Sequence, residues 1–374
     1  MKKWISRHLV SLSAILMVLI LIALPTGYED AAIYQGTERV RARVLETDES
    51  TVMSSGLIQS GEQYCEVEIL DGIFQGEEVR AVNMLSGSLE SDKIFQEGDV
   101  ALVVISHKEN QILSVTMSDH YRIDKELLLA GVFVLLLVVF AGAAGLRAVY
   151  SFLITILAIW KIMVPAYLKG INPIWCGILI TAVLTLIIIY LVYGWSRRTA
   201  AASLGALLGV GVTCVTGYFF TDAFQIHGAV MPYSESLLYS GYQNLNLTQI
   251  FISGIFISAS GAMMDLAVDI TSAVNEVIHK KPGIEWREAA RSGMNVGRAA
   301  MGTMTTTLLL AYSGGYIALL MTFMAQGTPL DCVFNYKYVA AEILDTIVGS
   351  FGLVTVAPFT ALTSAVLLTE HGKK

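Results

Sequence analysis

Asp265 and Asp269 stand four residues apart at the end of an apolar run, 250–268, that is long enough to cross a bilayer. One helical turn places both carboxylates on the same face. A carboxylate in hydrocarbon costs about 3 kcal/mol on insertion scales, so an acid there is paired or belongs to a path for something polar. The chemistry this pair offers is the handling of a cation or proton. Polar groups continue at Ser272, Glu276 and His279 in steps of three and four. A helix from Ile250 to Lys280 is about 45 Å long at 1.5 Å per residue, so its last turns leave the hydrocarbon. Asp265 follows Ser258-x-x-x-Ala262, a small-xxx-small surface that admits a close helix neighbour. On that reading Asp265 is paired inside a bundle. Arg298 is the nearest guanidinium able to act as counter-charge; read otherwise, it is one more basic anchor at the inner surface.

The next run, 301–324, opens Gly302-Thr303-Met304-Thr305-Thr306-Thr307. Thr303, Thr305 and Thr306 either bond back to the preceding turn or line a polar path. Gly314-Gly315 in the same run lowers helix propensity and marks a candidate break of the kind seen in discontinuous transporter helices. Secondary candidates are Glu342 and Asp345, which open the last run near the outer interface, and Lys161, the one cation well inside a run. Lys161 either snorkels or pairs with a carboxylate. Pro358 predicts a kink in the last run. No G-x-S-x-G, H-E-x-x-H or Walker pattern is present. No enzyme activity, metal or cofactor is therefore expected. Cys65, Cys176, Cys214 and Cys332 have no metal-site spacing; a Cys65–Cys332 bridge is open on compartment grounds, beside the reading as small buried hydrophobes.

The elements that must hold these residues follow from hydropathy. With 55% hydrophobic and 15% charged residues and a mean hydropathy of +0.62, the chain reads as a polytopic α-helical membrane protein of about eight spans. The runs are 9–24, 127–145, 149–168, 174–193, 200–220, 250–268, 301–324 and 343–368. If each crosses once, 13 basic residues fall on one side: Lys2, Lys3, Arg7, Arg147, Arg197, Arg198, Lys280, Lys281, Arg287, Arg291, Arg298, Lys373 and Lys374. The opposite short loops hold only Lys169 and Lys337. The positive side is cytoplasmic, with both termini inside the plasma membrane. Residues 1–27 are expected to be an uncleaved anchor, since Pro25 follows the run and no A-x-A site is evident, with a signal peptide as the alternative. Within the membrane domain, 127–374, the segment 270–300 is expected to be cytoplasmic, and its amphipathic part, 284–298, to lie along the inner interface.

Between the first two runs, residues 28–126 change to short alternating stretches. Arg39, Arg41 and Arg43 alternate with Val40, Ala42 and Val44, and Cys65, Val67 and Ile69 with Glu66 and Glu68. Period two with turn residues at Asp71-Gly72 and Gly98-Asp99 predicts an exported barrel, OB-like or SH3-like. It carries 20 acids against 8 bases, which excludes nucleic acid as a partner.

Four motif blocks, Gly261-Ala262-Met263-Met264-Asp265-Leu266-Ala267, Ser292-Gly293-Met294-x-x-Gly297-Arg298-x-x-Met301-Gly302-Thr303-Met304, Leu308 to Tyr312, and Glu342-Ile343 with Gly349-Ser350-x-Gly352-Leu353, resemble the YibE/F family of multispan membrane proteins. The resemblance covers essentially the whole chain and implies no established activity. It departs from the pattern at Ala299, where an Asp is common, and at Thr306, where an Asn is common. It also implies a homo-oligomer, or a hetero-oligomer with a second family member. The expected function is a permease for a small polar solute or ion; a scaffold presenting the barrel to a cell-envelope partner is the alternative.

Overall fold

The computed structural model describes residues 2–29, 36–109 and 111–369, with side chains from Val10 onward. Lys373, Lys374 and the side chains of Lys2, Lys3 and Arg7 lie outside the described residues. Two compact units divide the chain, one spanning Gly27–Phe140 and the other Met1–Thr26 with Ala141–Lys374.

The first unit holds β1 (Thr37–Asp48), β2 (Met53–Ser55), β3 (Ile58–Ile69), β4 (Glu78–Ser86), β5 (Val100–Lys108) and β6 (Gln111–His120). The sheet order is β1-β5-β6-β4-β3-β2, and β1 also pairs β3. The sheet thus closes into a five-stranded barrel with β2 as a short appendage. Closure depends on the length of β1: residues 37–43 pair β5, and residues 42–48 pair β3 across a register shift between Val44 and Glu46. Such a bulge bends one strand into both sides of a barrel. The expected alternation is present, with Val40, Ala42, Val44, Cys65, Val67 and Ile69 all in the core. Burial pushes the Cys65 thiol up to about 11, and all four cysteines are free.

Two buried amides were not foreseen as structural. Gln63 Nε2 donates to the Phe95 carbonyl at 2.8 Å while Phe95 N–H donates to Gln63 Oε1 at 3.1 Å. Asn83 Nδ2 donates to Gln63 Oε1 at 3.1 Å and to the Lys93 carbonyl at 2.6 Å. This network ties the β4–β5 connection across the barrel, with Phe95 wholly buried. Removing Gln63 strands a buried amide N–H and carbonyl, so Gln63→Ala is expected to destabilise the barrel by about 2–4 kcal/mol. Urea-dependent proteolysis of the full chain, read on barrel fragments, measures it.

In the same connection Asp92 is held by Ser86, whose Oγ donates at 2.8 Å, and by the N–H groups of Ser88 and Gly87 at 2.9 and 2.7 Å. These bonds hold its carboxyl at about 2, below the ordinary carboxylate value. A depressed native value stabilises fully above the unfolded value near 4 and is lost as pH falls towards 2. The barrel's unfolding midpoint should therefore drop over that interval, and less steeply in Asp92→Asn.

The second unit is helical. In chain order the helices are α1 (Lys2–Ala23), α2 (Ile123–Ala158), α3 (Val164–Leu168), α4 (Pro173–Tyr193), α5 (Arg197–Ala223), α6 (Ser234–Tyr239), α7 (Leu247–Lys280), α8 (Trp286–Ser313), α9 (Ile317–Ala325), α10 (Leu330–Asn335) and α11 (Lys337–Leu368), the first part of α2 belonging to the barrel's unit. Among the described residues, six helical segments are long and apolar enough to cross a membrane: Ile123–Leu168, Pro173–Tyr193, Arg197–Ala223, Leu247–Lys280, Trp286–Ala325 and Lys337–Leu368. The sequence offered eight runs. Of α1, Lys2–Ala23, the side chains are described from Val10, and Val10–Ala23 is apolar. The runs 127–145 and 149–168 share one segment whose break falls at Gly142 (φ 56, ψ −130) rather than at Arg147. Only glycine enters that conformation cheaply.

Small residues set the packing of this unit. Gly205 and Gly209 of α5 back onto Thr360 and Val356 of α11, and Gly352 of α11 meets Thr213 of α5 and Met263 of α7. Gly293 of α8 lies against Val274 and Ala361, and Gly297 against Ile270 and Ala357. The segment 284–298 is accordingly not a separate interfacial helix. From Trp286 it is the first half of α8, and Ala289, Gly293 and Gly297 form the buried line that seats it on α7 and α11. Its amphipathic pattern reports helix packing.

Candidate functional site

The contacts of Gly293 and Gly297 fix how α8 runs against α7. The helices are antiparallel, with residue 293 beside 274 and residue 297 beside 270. Continuing that register puts Asp265 level with Gly302, at the start of the threonine run, and Asp269 level with Arg298. The expected pair nevertheless does not form: no ion pair of Asp265, Asp269 or Arg298 occurs among the described residues. The reason is rotational. Arg298 sits on the flank of α8 next to α11, lining a groove with Pro358, Ala361 and Leu362. Asp265 and Asp269 lie on the outward face of α7, in an exposed stripe with Gly254, Ser258 and Gly261. The tight contact of α7 is on its opposite side, where Ala259 meets Gly349 and Met263 meets Gly352. Ser258-x-x-x-Ala262 is not that contact.

The threonines spend their hydroxyl protons locally. Thr303 donates to Ala300 O at 3.0 Å, Thr305 to Met301 O at 2.6 Å, Thr306 to Gly302 O at 3.2 Å and Thr307 to Thr303 O at 3.0 Å. They are back-bonded rather than poised as donors. Lys161 is half-buried within a π-helical turn, Ile159–Met163, and pairs with no acid among the described residues. Pro165, four residues on, has no N–H for the Lys161 carbonyl and its ring crowds that oxygen. The turn widens instead, Val164 N–H bonding Ile159 O.

The strongest polar constellation is at the other end of the α8–α11 seam. Glu342 and Asp345 stand three residues apart on α11, so they share a face. Opposite them α8 gives way at Gly314–Tyr316 to a single 3-10 turn before α9, the weak point the two glycines predicted. That turn carries Tyr316, close to Glu342, while Tyr312 one turn earlier lies close to Ser258 of α7. Glu342 Oε1 and Asp345 Oδ1 are buried and have no hydrogen-bond partner among the described residues. A cavity of about 240 Å³ opens beside Glu342, lined also by Tyr316, Ser313 and Thr346 among apolar side chains. Two neighbouring carboxyls with a buried, unpartnered oxygen each call for a cation or a proton at that spot.

Sequence reasoning placed these acids second and missed the tyrosines. A signal was present: Tyr312 and Tyr316 bracket Gly314-Gly315 four residues apart, which aims two phenols at whatever packs against the break. Carboxyls of this kind are the targets of hydrophobic carbodiimides. Dicyclohexylcarbodiimide treatment of the full chain in membranes should modify Glu342 or Asp345, located by peptide mass spectrometry, and Tyr316→Phe should raise the extent at Glu342 by removing the phenol hydroxyl beside it.

A protein-family model described as YibE/F-like protein matches residues 129–370. No curated protein and no solved structure matches the chain.

Proposed function

The chain belongs to the YibE/F-like protein family, and from that premise we propose that it is a permease-like membrane protein moving a small cation or proton. The observation that carries this reading is the pair of buried carboxyl oxygens on Glu342 and Asp345, without partners among the described residues, next to a helix break and, at Glu342, a cavity. Breaks in membrane helices with carboxylates alongside are where transporters hold their coupling ions. In this reading Glu342 and Asp345 form the outer station, with Tyr312, Tyr316 and Ser258 around it. Asp265 and Asp269 form an inner station. Ser258 lies seven residues from Asp265 along α7, about 10 Å at 1.5 Å per residue. The path therefore follows one helix face.

The orientation belongs to the same proposal. With α1 crossing once and the segment 123–168 crossing twice about its break at Gly142, thirteen basic residues fall on one side against Lys169 and Lys337 on the other, which supports cytoplasmic termini and a barrel outside the plasma membrane. The barrel's circuit, antiparallel except for the β4–β6 pair, is of OB type. Its acidic surface raises the local concentration of cations.

The test is ion flux into proteoliposomes that contain the full chain and a pH-sensitive dye, under imposed sodium or potassium gradients. Wild type should show gradient-driven proton movement. Asp345→Asn and Glu342→Gln should each lower it at least tenfold with membrane insertion unchanged, and deletion of residues 28–126 should be tolerated better. Equal flux in wild type and both carboxamide variants would overturn the reading, and a phenotype that needs the barrel but not the carboxyls would favour a scaffold.

A further inference from the structure

The face of α8 opposite its buried line of Ala289, Gly293 and Gly297 consists of Ala299, Gly302, Thr303 and Thr306, all exposed, and nothing stands within 4 Å of where a Cβ on Gly302 would be. Small residues recurring at three and four along a membrane helix let a second backbone approach closely. The threonine hydroxyls on this face are already bonded to their own helix, so the face is sealed as well as flat.

Charge on its two sides says what covers it. On the α11 side stands Arg298, and on the α7 side stand Asp265 and Asp269; none has an ionic partner among the described residues. Lipid phosphates can meet Arg298, but they offer no cation fixed beside Asp265 and Asp269, whereas a second copy answers both flanks at once. A two-fold axis parallel to the membrane normal and passing beside α8 exchanges one flank for the other and leaves height unchanged. It therefore sets Arg298 of one copy against the acids of the other, and the reverse, as an isologous contact requires. Height agrees, because the α7–α8 register puts Arg298 level with Asp269 and one helical turn from Asp265.

We propose that two copies of this chain pair through the small face of α8, with Arg298 of each copy closing on Asp265 and Asp269 of the other. The two reciprocal ion pairs complete a polar cluster that a single chain leaves open. The inference is independent of the outer station at Glu342 and Asp345, which lie beyond the other end of this face; at the inner station it makes Arg298 of the second copy the counter-charge of Asp265 and Asp269.

Co-expression of two differently tagged full-length chains tests it. Wild type should co-purify across tags and give a native mass of twice 40.6 kDa. The variant Arg298→Asp, and the double variant Asp265→Lys with Asp269→Lys, should each lose cross-tag recovery at least tenfold when expressed alone. Co-expressed with each other they should recover it, because both reciprocal contacts again join opposite charges; that recovery also shows that both variants fold. Gly302→Leu should give monomers with an unchanged melting temperature. Monomeric wild type, recovery of a different membrane protein in place of the second copy, or failure of the two charge-reversed chains to pair would each overturn the proposal.

Discussion

Close approach of backbones is the constraint on which the helical unit depends. Inside a bilayer, apolar side chains gain little by leaving lipid for one another, so helices associate through van der Waals packing and hydrogen bonds. Here α11 is the hub: Gly352, Val356, Ala357, Thr360 and Ala361 receive Gly205 and Gly209 of α5, Met263 of α7 and Gly293 and Gly297 of α8. Thr363 adds a bond to the Ala201 carbonyl at 2.8 Å, and Thr271 of α7 bonds Ser364 at 2.9 Å. Glycine is needed at Gly205 because a side chain there would collide with Thr360 itself, backbone included.

That packing decides where polarity goes. Once α7 turns Ala259, Met263 and Ile270 towards the hub, the three- and four-residue steps of a helix carry Ser258, Asp265 and Asp269 outward. Once α8 seats Gly293 and Gly297, Arg298 is carried to the α11 flank and the threonines to the outer face. The acids of α11 are the exception. They precede the glycine-rich part of that helix, and they meet a stretch of α8 already loosened by Gly314 and Gly315, so two carboxyls come to rest among tyrosines instead of packed aliphatics.

The barrel solves a different problem. In water its apolar core is driven together by burial, and what must be secured is closure. A 12-residue β1 shared between two neighbours provides it, and the Gln63–Asn83 network holds the one long connection across the core. Buried amides are tolerated there because each main bonding group has a partner.

The sequence by itself determined the composition of both units and the local direction of each side chain. Period two in residues 39–44 and 64–70 reports which atoms face a core whatever the strand order, and long apolar runs report spans because unpaired backbone is too costly in lipid for anything but helix. The break at Gly314–Tyr316 was legible for the same reason: glycine acts on its own backbone. Pairing was not legible. Asp265, Asp269 and Arg298 had the right charges and nearly the right heights, yet only the seating of α8 on α7 and α11 fixed their rotation and kept them apart. Likewise, nothing in the spacing of Glu342 and Asp345 shows that each keeps an oxygen buried without a donor. Helical periodicity fixes angles within an element, whereas a site is made between elements, and their relative rotation depends on contacts far apart in the chain.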